Sequence, residues 1–365
     1  MSANVTEIAP NQFRVVDATP AVDHNAGARA ILSSPPVPVR MRYKAWNHWI
    51  AVLTVVTSLL PITVGVLTTT FDAGMAFLDW PTSDQQNMFL YDMLSDIREG
   101  RTDKVLEHGH RLAGALLGVV SILLAGVLFV RDERVWVKRL GILVLLGVIV
   151  QGLIGGFRVR LDERFLALFH GTFGAIVFSA ICLAALVTSR RWLSYRVPIT
   201  DSRPRGLMPV LVIIPVAIVV QYSLGGMVRH LGLGLYEHLG MAAVVWLLAN
   251  IGAALSIRTG EKFLISNGYL LAAAATMQVA LGFGAWIVKF GWKAQGYVAV
   301  QNSAEQVLFR SGHTVVGMVL LAAAVCLLAK AVKLSRLGWK PAEREYSNHF
   351  DVGGEPAGTS GGKLA

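Results

Sequence analysis

The sequence predicts an all-α integral membrane protein, with eight transmembrane helices arranged as two pseudo-symmetric four-helix bundles. Three observations predict it. Of the 365 residues, 54% are hydrophobic and only 15% charged, with a mean hydropathy of +0.54, well above that of a soluble domain of this length. Eight apolar stretches are each long enough to cross a hydrocarbon core of roughly 30 Å, which takes about 20 residues of helix. A pattern of glutamine, glycine and histidine also recurs at the ends of those stretches, the mark of an internal repeat.

The spans run near 46–69, 107–130, 139–157, 165–188, 207–227, 236–256, 264–288 and 310–333. Lipid offers the backbone no hydrogen-bond partners, so apolar runs of this length are predicted as helices. The first begins too late and runs too long for a removable signal peptide, and it reads as an uncleaved span. Residues 1–41, which contain Ser34-Pro35-Pro36, and residues 336–365, which end Gly-rich, are polar; both are expected to be disordered cytoplasmic tails. Between them lie an N-terminal four-helix half (42–190), a cytoplasmic linker (191–206) and a C-terminal half (207–335).

Basic residues set the orientation. Arg40, Arg42 and Lys44 precede span one; Arg131, Arg134, Lys138 and Arg139 join spans two and three. Arg190, Arg191, Arg196, Arg203 and Arg205 join spans four and five, and Lys330, Lys333 and Arg336 close span eight. These segments are expected on the cytoplasmic side. The loop after span one carries Asp72, Asp79, Asp84, Asp92, Asp96, Glu99 and Asp103 and belongs outside. Both termini then lie inside, and the net charge of +10 is a topology signal that makes nucleic acid an unsuitable partner. Cys182 and Cys326 fall within spans, so neither a disulfide framework nor a Cys-x-x-Cys-His haem attachment exists.

Span three closes with Gln151-Gly-Leu-Ile-Gly155-Gly156, span five with Gln221-Tyr-Ser-Leu-Gly225-Gly226, and span seven holds Gln278-Val-Ala-Leu-Gly282. Span one has Gly65 in the matching place, with Pro61 where the others have glutamine. Each is followed by a helix opening with a histidine: His110, His170, His238 and His313. Each half thus supplies two histidines at one depth, near the outer surface. Gly114, Gly174, Ala242 and Gly317 stand four residues after them, on the same helical face, where a shallow groove could admit a flat macrocycle. Imidazole is a ligand for iron, copper or zinc, and haem iron accepts one on each face. The bland reading is that small residues permit close helix packing and that the histidines cap or bridge helices. Four repeats of one depth and spacing favour ligands, since polar residues inside membrane helices tend to be functional.

Glu107 lies three residues before His110, on the same face, and is expected either to reach the His110 site and move protons, its pKa raised by burial, or to pair with Arg111. His108 and His230 are expected to be interfacial and solvated. Arg111, Arg158, Arg160, Arg164, Arg229, Lys289, Lys293 and Arg310 line the outer edge and suit either haem propionates or the membrane interface. In the first outer loop, Met88-Phe-Leu-Tyr91 reads as an interfacial patch.

Taken together, Glu107-x-x-His110-Arg111, His170, Glu237-His238 and His313, with the run Thr68 to Asp79-Trp80-Pro81 after span one, resemble the heme A synthase family over residues 42–335. The resemblance implies oxidation of the C8 methyl of heme O to a formyl group by successive hydroxylations, giving the heme A of cytochrome c oxidase. It implies that His238 and His313 are axial ligands of a resident heme b, and that His110 and His170 hold the substrate haem with Glu107 taking part in the chemistry. Implied partners are membrane lipid, a separate electron-transfer protein, heme O synthase and oxidase assembly factors, in the cell inner membrane. Many bacterial members carry a cysteine pair in the first outer loop, and none is present here, which excludes a disulfide-relay role. Only the N-terminal pair has a carboxylate three residues from its histidine and a long covering loop, which favours a reactive first site and an electron-transferring second one. The rival from another class is a b-type cytochrome subunit of a quinol dehydrogenase, which only carries electrons; such subunits stack haems at different depths, whereas all four ligands here share one. A transporter would place polar groups at mid-membrane, where few are found.

Overall fold

A computed structural model describes residues 42–195 and 203–338. The expected tails at 1–41 and 339–365, and residues 196–202 of the expected linker, lie outside the described residues. The helices are α1 (Ala45–Thr70), α2 (Met93–Arg98), α3 (Thr102–Arg131), α4 (Val135–Leu161), α5 (Arg164–Thr188), α6 (Arg190–Ser194), α7 (Leu207–His230), α8 (Leu235–Arg258), α9 (Lys262–Phe290) and α10 (Ala304–Arg336). All but the short α2 and α6 are long and apolar enough to cross a membrane. This is a multi-span membrane protein, and among the described residues no strand forms beyond isolated bridges.

The helices outrun the apolar stretches that predict them. α3 opens at Thr102 rather than near 107, and α10 at Ala304 rather than near 310. Hydropathy falls where the chain becomes polar, but helical hydrogen bonding continues: Asp103 and Glu305 sit in the first turns, where the helix dipole favours an acid, and Ser303 caps α10 by accepting from the Gln306 N–H at 3.2 Å. His110 and His313 therefore lie about two turns inside their helices, not at the opening turn. The first part of the expected linker is also ordered: α6 is capped by Ser189, and Trp192 is buried on Phe263 of α9.

α1, α3, α4 and α5 pack consecutively and close on themselves through an α1–α5 contact; α7, α8, α9 and α10 do the same through α7–α10. α5 packs on α7 and α10, and α1 on α10, joining the two sets. α10 is consequently the most enclosed span. The outward faces carry exposed large apolar side chains such as Val119, Leu143, Val216 and Leu247, a surface suited to lipid and not to water.

At the end opposite the histidines the turn between α3 and α4 is stitched to its neighbours by a buried ion pair. Asp132 receives Arg134 Nη2 at 2.8 Å and Nε at 2.9 Å, and also Asn47 Nδ2 of α1 at 3.1 Å. Arg134 donates onward to the Val187 carbonyl of α5 at 2.9 Å. Burial alone would raise the Asp132 pKa; hydrogen bonds from Arg134 and Asn47 and the guanidinium charge outweigh it and hold the pKa below its ordinary value. A carboxylate depressed in the folded state contributes its stability above the unfolded pKa and loses it as pH falls through the folded value. Asp132→Ala is thus expected to cost about 3 kcal/mol by leaving Arg134 buried without its partner, seen as a lower Tm in detergent. The difference from the unaltered protein should hold at neutral pH and shrink only below the usual carboxylate range.

Candidate functional site

The four histidines meet in two pairs. His110 of α3 faces His170 of α5 with ring centres 5.9 Å apart and planes at 77°; His238 of α8 faces His313 of α10 at 6.1 Å and 83°. Each pair joins the second and fourth spans of its set of four.

Each ring rests on a glycine of the helix before it. A Cβ built on Gly65 would come within 2.6 Å of the His110 ring, on Gly155 within 2.9 Å of His170, on Gly225 within 3.0 Å of His238, and on Gly282 within 2.8 Å of His313. A methyl cannot occupy any of these places without moving the ring. The carbonyl four residues before the glycine fixes the ring's polarity in two cases. His110 Nδ1 donates to the Pro61 carbonyl at 2.9 Å, and His313 Nδ1 to the Gln278 carbonyl at 3.1 Å. A carbonyl only accepts, so Nδ1 carries the proton and Nε2 keeps its lone pair, the usual arrangement of a metal-ligating imidazole. Gln151 and Gln221 donate through Nε2 to the backbone carbonyls of His170 and His238, at 2.8 and 3.0 Å; Gln221 Nε2 also lies 3.1 Å from His238 Nδ1.

These residues fit an iron held between two imidazoles. With metal–nitrogen bonds of about 2 Å, rings sharing one metal have centres roughly 6 Å apart, the separation of both pairs. Beside Gly114 there is open space, with nothing within 4 Å of a Cβ built there. At the corresponding positions of α5 and α10 the expectation needs correction: the space beside Gly174 and Gly317 is taken by the side chains of Gln151 and Gln278. Part of the small-residue pattern therefore serves the glutamines.

Glu107 is buried beside the N-terminal pair with both oxygens engaged. Oε1 pairs with Arg111 at 2.7 Å, and Oε2 accepts the N–H of Ala76 at 2.7 Å and of Phe77 at 3.3 Å. Arg111 also donates to the carbonyls of Asp79 and Thr82, at 2.9 and 2.6 Å. Together the two side chains hold the loop after α1 against the bundle. Trp80 of that loop lies on Gly156 of α4, where a Cβ would come within 2.3 Å of its ring. Asp79 keeps the loop turned by accepting from the backbone of Asp84 and Gln85; burial alone would raise its pKa, and these bonds with one from Thr82 bring it below the ordinary value.

His108, expected to be solvated, is instead buried beneath this loop. Its Nδ1 is 3.1 Å from Ser83 Oγ, and its ring packs on Tyr91 and Phe77. A loop folding back over α3 leaves no periodic trace, although Phe77 and Tyr91 in a polar loop were a signal. His230 is half-buried. Phe89 and Leu90 of the expected patch are exposed, while Tyr91 turns inward. Glu237 is exposed and takes no part in the pairing. Of the basic residues, Arg229 is tied into the bundle between α1 and α10, and Gly74 of the loop lies on the guanidinium of Arg158.

Eight apolar spans enclosing two facing histidine pairs define a multi-span membrane protein built to hold paired imidazole ligands. A model of the cytochrome oxidase assembly protein family COX15-CtaA matches residues 47–240, more than half of the chain. The chain belongs to this family, that of heme A synthase, and its function lies in cytochrome oxidase assembly. The match includes Glu107, His110, His170 and His238 and stops before His313. No curated protein matches the chain.

Alanine at Gly65, Gly155, Gly225 or Gly282 is expected to displace the ring set against it, costing about 1–3 kcal/mol as an overpacked core does, seen as a lower Tm in detergent. Gly152→Ala, with open space around its Cβ, should match the unaltered protein in Tm and in absorption spectrum.

Proposed function

We propose that this protein is a heme A synthase that oxidises the C8 methyl of heme O to a formyl group. The observation that carries the reading is the asymmetry of two otherwise alike histidine pairs. Among the described residues, only the pair made by His110 and His170 has a buried carboxylate on one of its helices, Glu107, with a loop docked on that carboxylate.

In this reading the N-terminal half, 42–190, holds the substrate haem between His110 and His170. The C-terminal half, 207–335, holds a resident heme b between His238 and His313. When bound, heme b supplies one-electron transfer toward a separate acceptor protein. The chain's own residues do the rest. His110 and His170 fix the macrocycle at one depth, since each ring is stopped by its glycine. The loop pinned by Arg111 and Trp80 is held against the N-terminal half and orients Glu107. Conversion of the methyl to a formyl group takes up one oxygen atom, from water, and gives up electrons to the separate acceptor protein together with protons, for which Glu107 is an acceptor. Both termini and the linker face the cytoplasm, following the basic loops, so the haem sites lie toward the outer face of the inner membrane. Heme O synthase and oxidase assembly factors are the neighbouring proteins.

The test is expression with and without heme O synthase, followed by extraction and chromatography of the bound pigments. Heme A or its hydroxylated precursor is expected only with the synthase; unmodified haem alone would point to a simple electron carrier. Glu107→Gln keeps an acceptor for the loop amides, and should retain heme b while lowering conversion by about a hundredfold or more. Normal heme A from Glu107→Gln would refute the proton-transfer role. His238→Ala should abolish the b-type spectrum.

A further inference from the structure

We infer that Arg229 binds a carboxylate of the haem held by His238 and His313, and that the same guanidinium joins this haem to the substrate site. The inference rests on the haem-binding reading above and adds a ligand contact to it.

Arg229 lies four residues after Gly225, on the same face of α7 and one turn further toward the end of the helix. Gly225 is the glycine against which the His238 ring rests. Arg229 thus stands directly above the C-terminal pair. Its Nη1 donates to Thr314 Oγ1 at 2.6 Å, and its Nη2 to the Val66 carbonyl and Thr70 Oγ1, both at 3.1 Å. All three acceptors are neutral. Its Nε–H is fully enclosed and has no acceptor. Asp72 acts on it through space, but no ion pair to Arg229 forms among the described residues.

A guanidinium half-buried in a membrane protein without a counter-ion is costly, and a donor left unmet beside it adds to the cost. Both deficits are met by one planar anion that an arginine fork grips, a carboxylate. A haem carries two such groups at one edge. Thr314 is the residue after His313, and Val66 is the residue after Gly65, on which His110 rests. One side chain therefore touches the helix bearing a resident-haem ligand and the helix forming the substrate groove. Arg158 of α4 is the nearest counterpart, but Gly74 of the loop covers its guanidinium.

The test uses the full-length chain in a His170→Ala background, which leaves one histidine pair intact. It is produced under haem depletion and titrated in detergent with protohaem and with protohaem dimethyl ester, whose carboxylates are neutral. With Arg229 present, protohaem is expected to bind about tenfold more tightly than the ester, as one charge-assisted hydrogen bond provides. Arg229→Gln should bind the two within about twofold of each other. Its bound haem should also favour the ferric state, because a positive charge is lost; a tenfold shift in that ratio is about 59 mV for one electron. An undiminished preference for protohaem in Arg229→Gln overturns the assignment. If that variant does not fold, Arg229→Lys, which lacks the fork, carries the same comparison: a reduced preference is expected, and an unchanged one overturns the assignment. Binding of neither pigment, or binding that survives His238→Ala, overturns the haem-site reading itself.

Discussion

Everything at the candidate site depends on one contact, the Cε1 edge of an imidazole set against a glycine of the preceding span. The glycine lets two helices come close enough for the ring to sit between them, and it sets how far the ring can travel. Where the carbonyl one turn earlier takes Nδ1–H, as Pro61 does for His110 and Gln278 for His313, Nε2 keeps its lone pair. Four copies of this contact make two pairs with nearly the same spacing. Each pair is therefore the product of four helices and not of two. The register of every hairpin is constrained as well, because a slip of one residue turns a helix by about 100° and takes the ring off its glycine.

The rest of the bundle serves to keep these contacts in place. α10 packs against helices of both sets and is the most enclosed span, which fixes the His313 helix. At the far end, Asp132 and Arg134 lock the α3–α4 turn to α1 and α5, which holds fast the helices that carry Gly65, His110, Gly155 and His170. Charged groups are thus gathered toward the two ends of the spans, where they tie helices together, while the lipid-facing surfaces carry large apolar side chains.

The spans and the histidine repeat were legible in the sequence because both are periodic. Apolar runs near 20 residues long have one structural solution in lipid, and Gln151, Gln221 and Gln278 with their following glycines advertise an equivalent place in three hairpins. What the glycines touch was not legible. The histidine was expected to use the small residue on its own helix, whereas the decisive one lies on the helix before it. Contacts without a period were missed altogether: the burial of His108, and Trp80 seated on Gly156. Helix ends were read short wherever the chain turned polar before its backbone stopped being helical, as at Thr102 and Ala304.

Glu107 has a further consequence through its neighbours. One of its oxygens holds two amides of the loop and the other holds the arginine that also grips that loop. Three of the roughly four acceptor positions of this carboxylate are filled by groups that hold the loop, so the place of the acid and the attachment of the loop are interlocked in a single side chain. Neither can shift without the other, so a change at this one acid is felt along the whole cover from Ala76 to Thr82.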